Sequence, residues 1–223
     1  MALSSTAIAA DDTKKTQRQA DEQMIVVGSK IPTKATDLTH SVTVVNETEI
    51  NNQAFTDLTE VLRKQAGIEF KQAGGVGQYN YLKMRGLGSA NILIVVDGVK
   101  INKPSSGDTG NLLSQLDPDT IESLEILRGP QATLYGANSS AGVIAIKTKS
   151  GDKPAANIRF EAGALGWQKA SFSARNSVDV KSGQWLYSLN VSDTDSDGVH
   201  EEEYFKDTTV QLKTSYKTDT FEL

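Results

Sequence analysis

The sequence of 223 residues contains no cysteine and only two histidines, His40 and His200. The lack of cysteine excludes a disulfide scaffold, a thiolate zinc site and a cysteine nucleophile. Two histidines so far apart in the chain offer little material for a histidine-based catalytic centre. Glycine-rich stretches occur at 74–77 and 85–88, but neither completes a phosphate-binding motif. We therefore predict that the protein is not an enzyme.

The sequence also has no excess of basic residues and no long apolar run. Its 23 lysines and arginines against 28 aspartates and glutamates give a net charge of −5, which argues against a nucleic-acid partner. The longest purely apolar run, 92–96, is far shorter than the roughly 20 residues that a membrane-spanning helix requires. A role in a membrane would therefore need a surface attachment or a β-barrel.

The N-terminal part of the chain shows little sign of a folded core. Residues 1–20 are small or polar, and Ala7-Ile8-Ala9 resembles a cleavage site, so we predict a residual signal or disordered N-terminus. A short apolar island, Met24–Val27, follows within residues 21–30. Such a short island cannot bury itself, so we predict that it pairs with the sheet edge of another protein. A loosely docked first strand is the alternative.

Residues 31–150 are predicted to form one α+β domain, a small mixed sheet with short helices. The helix signals are a run over 57–67 with Thr56 as N-cap and Gly67 as stop, and a short helix opened by Asp117-Pro118. Polar loops are expected at Lys71–Asn80 and Asn102–Asn111. The predicted strands are 42–45, 68–70, 82–85, 92–97, 124–127 and 143–147.

Residues 151–223 change to long alternating strands, predicted at 157–163, 169–175, 184–192 and 208–217. Alternation with one polar face fits either an antiparallel sheet that is wet on one side or a transmembrane β-barrel. Strand lengths of roughly 9 to 11 residues, with Trp185 and Tyr216 beside short turns, favour the barrel. Four strands are too few to close a barrel. We therefore expect residues 151–223 to be the truncated start of one.

Several motifs occur in a fixed order through the middle of the chain. They are Arg85-Gly86-Leu87-Gly88, Val96-Asp97-Gly98-Val99, the run 121–131, Leu134-Tyr135-Gly136 and Ala141-Gly142-Val143-Ile144. Over residues 22–146 this order resembles the plug of TonB-dependent outer-membrane transporters. The resemblance implies an α+β plug domain followed by the first strands of a transmembrane β-barrel. It also implies a location in the outer membrane of a Gram-negative bacterium, with the plug facing the periplasm and the barrel facing lipid.

The resemblance places a TonB box at the apolar island, with TonB as the expected protein partner. Gln23 stands where the family usually has threonine, but main-chain pairing tolerates a changed side chain because backbone hydrogen bonds carry the affinity. The residues of the expected box are Glu22, Gln23, Met24, Ile25, Val26, Val27 and Gly28.

The same resemblance implies a lock between plug and barrel, formed by Arg85 and Arg128 together with Glu122 and Glu125. Both arginines follow apolar strand residues, so they should be largely enclosed and should need anionic partners. In the family, arginines at these motif positions pair with glutamates on the inner barrel wall. Because that wall is mostly missing here, we expect both arginines to be exposed or to find other partners. A simple surface arginine is the alternative.

Within the family, the chain is most similar to the cobalamin receptors, so cobalamin is the favoured nutrient. A receptor for ferric siderophores and a soluble plug-like binding module are the alternatives. The two polar loops would form the apex of the plug that meets the small-molecule nutrient. The expected substrate contacts are Gln78, Tyr79, Asn80, Lys103, Ser105, Ser106 and Asp108.

No cofactor is required by this interpretation, but one acidic stretch is a candidate calcium site. Asp193, Asp195 and Asp197 alternate with other residues, a spacing that suits a hard cation such as Ca²⁺. Tyr204 stands where an EF-hand would need glutamate, which excludes that motif. The resemblance to cobalamin receptors, which bind calcium through aspartates in external loops, implies that these aspartates bind calcium. The alternative is an ordinary solvated loop.

Overall fold

The computed structural model describes residues 24–25, 33–34, 41–52, 57–72, 74, 80–102, 109–136, 138–198 and 203–218. Between residues 41 and 150 the chain forms an α+β unit, called the plug below after the predicted domain in which it lies. Residues 155–217 form a separate antiparallel sheet, called the wall sheet. The predicted fold class, an α+β unit followed by open antiparallel strands, is confirmed.

The plug is built from short strands and shorter helices. Ahead of it, β1 (Met24–Ile25) pairs antiparallel with β2 (Thr33–Lys34). The strands of the plug are β3 (Ser41–Asn46), β4 (Ile68–Gln72), β5 (Asn80–Met84), β6 (Leu87–Gly88), β7 (Ile92–Val96), β8 (Val99–Lys100), β9 (Ile121–Arg128) and β10 (Gly142–Thr148). Its helices are α1 (Glu47–Asn52), α2 (Leu58–Arg63), α3 (Thr109–Ser114) and α4 (Ala132–Tyr135), with 3₁₀ turns at Ser89–Asn91 and Pro118–Thr120.

The central sheet of the plug has the strand order β3-β9-β10-β7-β8, and β4, β5 and β6 form a second sheet. At its centre β7 and β10 run parallel, and the neighbouring pairs are antiparallel. The sequences ILIVV and GVIAIKT are nearly continuous apolar runs, which is typical of strands buried on both faces. The core on the helix side is formed chiefly by Ile50, Leu58, Leu62, Ile92, Ile94, Leu113, Ile126 and Ile144. The core on the opposite side is formed by Leu93, Val95, Leu127, Val143 and Ala145.

Helix α2 differs from its prediction at both ends. Its N-cap is Asp57, whose carboxylate accepts a hydrogen bond from the backbone N–H of Glu60 at 3.0 Å. Thr56, the predicted cap, lies outside the described residues. The helix ends at Arg63, because the chain already turns toward β4 there and Gly67 adopts a φ of +74° in that turn.

Three helices were not expected from the sequence: α1, α3 and α4. Each spans four to six residues, so none contains enough turns to show a helical period. Helix α3 begins inside the stretch Asn102–Asn111 that was predicted to be a loop. The short helix predicted at Asp117-Pro118 is a 3₁₀ turn, capped by Asp117, whose carboxylate accepts from the N–H of Asp119 at 2.9 Å.

The wall sheet has four strands that pair antiparallel in chain order. Three of them have 13 or 14 residues and are longer than predicted. Their bounds are β11 (Ala155–Ala162), β12 (Gln168–Val180), β13 (Gly183–Ser196) and β14 (Phe205–Lys217).

The wall sheet buries its polar face and exposes its apolar face. Phe160 is 79% exposed and Leu212 is 71% exposed. Ile158, Trp185 and Val210 on the same apolar face are exposed as well. The opposite face, which carries the small polar side chains of β13, lies against the plug. The buried polar residues of β13 are Asn190, Ser192, Thr194 and Ser196. This distribution is the reverse of that in a water-soluble sheet.

Among the described residues, none of the helices has the length and apolar character needed to cross a membrane.

Candidate functional site

The plug and the wall sheet meet through a row of ion pairs. In each pair the plug supplies the carboxylate and the wall sheet supplies the cation, on the inward face of its strands. The pairs are Asp119–Arg159 at 2.7 Å, Asp117–Lys169 at 2.9 Å, Glu47–Arg175 at 2.9 Å and Asp97–Lys213 at 3.1 Å.

The pairs at the start of β9 are the most deeply buried. The side chains of Lys169, Asp117 and Asp119 are each 6 or 7% exposed. Lys169 Nζ donates to Asp117 Oδ1 and lies 3.9 Å from Asp119. The hydroxyl of Ser171 donates to Asp119 Oδ2 at 3.2 Å. The four groups therefore form one enclosed polar cluster between plug and wall.

Glu47, the first residue of α1, joins the end of β3 to the wall. Its carboxylate lies 2.9 Å from Arg175 and 3.3 Å from Lys149. Burial alone would raise the pKa of Glu47, but the two cations outweigh burial and lower it below the ordinary value. The Glu47 carboxylate is therefore held ionised against the wall.

Asp97 has a second role that its motif did not reveal. The sequence identified it only as the first residue of a turn, and its φ of +46° beside Gly98 at +82° confirms that turn. Its carboxylate also accepts from the backbone N–H of Thr148 at 2.9 Å and forms an ion pair with Lys213 at 3.1 Å. The Val96-Asp97-Gly98-Val99 turn thus ties the central sheet to β14.

Arg128 and Arg85 lie together at the far end of β9 from this polar cluster. Both side chains pass close to Gly67, with Arg128 Nε at 3.7 Å and Arg85 Cγ at 4.0 Å from where a Cβ on Gly67 would lie. Arg85 is exposed, whereas Arg128 is only 6% exposed. Of the two arginines of the expected lock, one therefore faces solvent and the other is enclosed.

The partners of Arg128 are neutral. Its Nε donates to the carbonyl of Ala66 at 2.7 Å and its Nη1 donates to Thr43 Oγ1 at 2.6 Å, whereas its Nη2 has no hydrogen-bond partner within the described structure. Burial, and then the nearby charge of Arg85, lowers the pKa of Arg128. A buried guanidinium beside a second cation is a site that an anion would stabilise.

Glu122 and Glu125, the other members of the expected lock, do not join the arginines. Glu122 pairs with Lys147 at 3.2 Å. Glu125 projects from the opposite face of β9 to Arg128, because their separation along the strand is odd. It is buried near Tyr135, whose pKa is raised by burial and then by the Glu125 charge.

Only two residues of the expected TonB box, Met24 and Ile25, are described. In β1 they pair with Lys34 and Thr33, so these two residues of the apolar island have an antiparallel strand partner within their own chain. Glu22, Gln23, Val26, Val27 and Gly28 lie outside the described residues.

Asn80 is the one predicted substrate contact that the structure describes, and it is not part of a loop. It is the first residue of β5 and is 2% exposed. Gly110 of α3 packs directly on its backbone, close enough that a Cβ at 110 would lie 2.7 Å from the Asn80 carbonyl carbon. Asn80 therefore supports the ends of the two predicted loops and does not present its side chain to solvent. The other predicted contacts, Gln78, Tyr79, Lys103, Ser105, Ser106 and Asp108, lie outside the described residues.

The aspartates of the candidate calcium site have separate partners. Asp193 and Asp195 lie within β13 and not in a loop. Asp193 accepts from Thr208 Oγ1 at 2.6 Å, and Asp195 lies 3.9 Å from Lys206. Asp197 continues past the strand, and its backbone N–H donates to Leu165. In the described part of the chain, no three acidic, histidine or cysteine side chains come together as a metal site. Calcium stays a prediction.

The sequence reasoning missed the cations of the wall sheet. The signal was present, since Arg159, Lys169, Arg175 and Lys213 all fall on the polar side of the alternating pattern. A cation on the enclosed side of a strand needs an acidic partner. What the pattern could not supply was the identity of that partner.

The family of the chain follows from comparison with known proteins. The TonB-dependent Receptor Plug Domain profile matches residues 34–143, which contain the Arg85, Asp97 and Arg128 motifs. Residues 34–143 are therefore a plug domain of the TonB-dependent receptor family. This is a family of receptors and transporters. That the protein is not an enzyme stays a prediction.

The chain is similar in sequence to a curated relative and similar in fold to two solved structures. The vitamin B12 transporter BtuB of Vibrio vulnificus (strain YJ016) is 34% identical over 130 residues, which are 58% of this chain and 21% of the relative. The ferric yersiniabactin uptake receptor FyuA from Yersinia pestis is 23% identical with a TM-score of 0.66, over 83% of this chain and 30% of that one. The pyoverdine-bound FpvA of P. aeruginosa is 18% identical with a TM-score of 0.72, over 91% and 26%. These two structures show the shared fold.

The chain spans about a fifth of the length of the curated relative from Vibrio vulnificus (21%). The predicted similarity to cobalamin receptors within the family is confirmed. The expected location, the outer membrane of a Gram-negative bacterium with the plug facing the periplasm, is confirmed by the location of its TonB-dependent receptor homologues.

Proposed function

We propose that the protein is the plug-bearing part of an outer-membrane receptor that takes up a scarce nutrient with energy relayed by TonB. Cobalamin is the favoured nutrient. The observation that carries the proposal is the reversed burial of the wall sheet, which exposes Phe160 and Leu212 and encloses a polar face against the plug. An apolar exterior around a polar interior is the arrangement of a barrel in lipid, and it disfavours a soluble binding module.

The topology supports a route from TonB to the plug. The segment that carries the expected box leads to β3, which lies at the edge of the central sheet and is paired with β9. A pull on the N-terminal segment would reach Ser41 first, opposite Arg128 in the ladder. Movement of β3 would then break the Thr43–Arg128 hydrogen bond, release a buried cation and loosen this side of the plug.

The ion pair between Glu47 and the wall sheet would limit the movement of β3. Glu47 follows β3 directly and is held by Arg175 of β12. A pull that strips β3 therefore reaches a residue that is fixed to the wall before it reaches α2 and the core. In this proposal the edge of the plug yields while the side that faces the wall sheet stays in place.

Cobalamin is favoured over ferric siderophores by the curated relative, a vitamin B12 transporter that is 34% identical. The solved siderophore receptors are less than 25% identical and support the fold alone. The Asn80–Gly110 contact brings the ends of the two predicted substrate loops together, so both loops could meet one bulky ligand.

A binding titration of the complete purified receptor tests the nutrient. We expect cobalamin to bind at least about a hundredfold more tightly than ferric siderophores, a difference of ~2.7 kcal/mol. The Vibrio vulnificus transporter and the Yersinia pestis receptor serve as positive controls for the two ligand classes. Tighter binding of a ferric chelate than of cobalamin would reverse the assignment and leave the siderophore receptor as the function.

A further inference from the structure

We propose that the buried ion cluster around Lys169 is an orientation dock, through which the wall sheet captures the acidic side of the plug and rejects its arginine side. The dock consists of Lys169 and Arg159 on the wall sheet and Asp117 and Asp119 on the plug. This role concerns how plug and wall recognise each other. It goes beyond the proposed function, because it holds whatever nutrient the receptor carries.

The polarity of the interface is uniform. Across the described residues, every ion pair between plug and wall has its carboxylate on the plug and its cation on the wall. The wall sheet does have an acid near the dock, Glu161, but it lies 3.6 Å from Arg159 and stays on the wall side. Charges arranged in this one-sided way select an orientation more than they add affinity.

The burial of Lys169 and its partners restricts the plug and the wall sheet to one relative orientation. Enclosing an ammonium group and two carboxylates removes them from water, and this is tolerated only if each finds its partner. The side chains of Lys169, Asp117 and Asp119 are all enclosed to more than nine-tenths. A slip of one residue along β12 would turn Lys169 to the outside and leave the buried Asp117 carboxylate without its cation. Only one register and one orientation satisfy all three groups.

Contacts within the plug and its exit segment fix the turn that carries the two acids of the dock. Asp117 caps the 3₁₀ turn Pro118–Thr120 through the backbone N–H of Asp119. The backbone of Lys149 donates to the carbonyl of Thr120 at 2.8 Å, which fixes the turn against the chain that leads to β11. Because these contacts lie within the plug and its exit segment, the Asp117 carboxylate and the backbone of Asp119 are positioned without the wall sheet and lose little freedom on docking.

The opposite end of β9 carries the charge that the wall would repel. Asp119 precedes the first residue of β9, and Arg128 is its last residue, so the two ends are about 23 Å apart at 3.3 Å per residue. Arg128 and Arg85 together form a cationic end. If the plug were rotated to place this end on the wall, it would face Arg159, Lys169 and Arg175. Like charges of this kind exclude the wrong orientation.

A distance measurement in the full 223-residue chain tests the dock. Because the sequence has no cysteine, nitroxide labels can be placed at two exposed positions, Thr133→Cys on the plug and Val178→Cys on the wall sheet. Double electron–electron resonance in detergent micelles then reports the distance distribution between plug and wall. The docked chain should give one narrow distribution.

The test variant is Lys169→Met, which keeps the aliphatic stem and removes the charge. With the buried Asp117 carboxylate left facing an apolar side chain, we expect the undocked population to rise about a hundredfold or more, seen as a broad, shifted distribution. The second variant, Asp117→Asn with Lys169→Met, should restore the narrow distribution, because asparagine caps the turn as well as aspartate does. Asp119 keeps its pairing with Arg159 in both variants.

The matched control is Lys206→Met, on the outward face of the same sheet. Lys206 lies 3.9 Å from Asp195, and both side chains are more than half exposed, so its loss should leave the distribution unchanged. If Lys169→Met alone loses the folded circular-dichroism signal and the double variant regains it, the charge pairing is again supported. An unchanged distribution in Lys169→Met, a double variant as disordered as the single one, or a broad distribution in the unmutated chain would each overturn the dock.

Discussion

Replacing Ile25 with proline is expected to abolish nutrient uptake while nutrient binding at the cell surface stays unchanged. Ile25 lies in β1 and pairs there with Thr33, so this segment already adopts the extended conformation that strand addition requires. Proline removes the N–H donor at this position and cannot form the ladder bond. The loss of one such bond, about 1 kcal/mol, together with the steric clash, should weaken pairing with TonB by about tenfold or more. Uptake of labelled nutrient and binding at 0 °C measure the two effects separately.

The matched control for this variant is Ile25→Ala, which keeps the backbone donor and removes most of the side chain. Because main-chain hydrogen bonds carry the affinity in strand addition, uptake should be largely retained. Full uptake by the proline variant would show that residues 22–28 are not the coupling segment. Equal loss in the alanine and proline variants would show that the side chain, and not the backbone, is recognised.

Replacing Gly142 with alanine is expected to cost the plug about 3 kcal/mol or more of its unfolding free energy. Gly142 begins β10 and pairs with Arg128 on one side and Ile92 on the other. Its φ is +155°, and a Cβ there would overlap the carbonyl of Leu127 and lie 2.5 Å from the sulfur of Met84. Leu127 and Met84 are both fully buried, so neither has room to move. Urea unfolding midpoints of the chain measure the loss.

The variant Gly98→Ala measures the cost of the left-handed backbone conformation without the steric clash that a side chain meets at Gly142. Gly98 also has a positive φ, +82°, but no atom lies within 4 Å of where its Cβ would be. Alanine there should cost only the left-handed conformation, about 1 kcal/mol. Equal shifts in the two variants would mean that the close approach of β10 to β9 does not stabilise the plug.

The parts of the fold that the sequence predicted are those with local signals. The turn at Asp97-Gly98 and the one at Arg85-Gly86 each have two residues with positive φ, and glycine at the second position marks such turns in the sequence. The central strands β7 and β10 are nearly continuous apolar runs, which identify buried strands. These signals predicted a mixed α+β domain, and the resemblance of the ordered motifs to a known family identified it as a plug.

The short helices could not be predicted in the same way. In α1 only Ile50 of six residues is buried, so the sequence ETEINN shows no apolar period. Helix α3 contains Gly110, an unfavourable helix residue, yet this glycine allows the helix to pack directly on the backbone of Asn80. Tertiary contact overrides local propensity at this position.

The contacts between plug and wall depend on pairings that are distant in sequence. Lys169 and Asp117 are separated by 52 positions, and Arg175 and Glu47 by 128. Alternation within each strand indicates which wall residues face inward, but it does not identify the acid that each one meets. The arginine pair was predicted from its motif, whereas the neutral partners of Arg128 follow only from the folded arrangement of Ala66 and Thr43 around it.

The central claim is that the wall sheet has its apolar face in lipid while its polar face holds the plug. Trp185 is 47% exposed on that apolar face, and its ring lies 5.0 Å from that of Tyr216 near the short turn between β12 and β13. Trp167, the other tryptophan, can be replaced by phenylalanine without losing a described hydrogen bond of its Nε1.

Fluorescence quenching of Trp185 in a Trp167→Phe background, with the chain reconstituted in lipid, is the most direct test. Lipids brominated near the headgroup should quench Trp185 strongly, because aromatic side chains at strand ends lie at the membrane interface, and aqueous iodide should have little effect. Strong quenching by iodide with no effect of the brominated lipids would contradict the account.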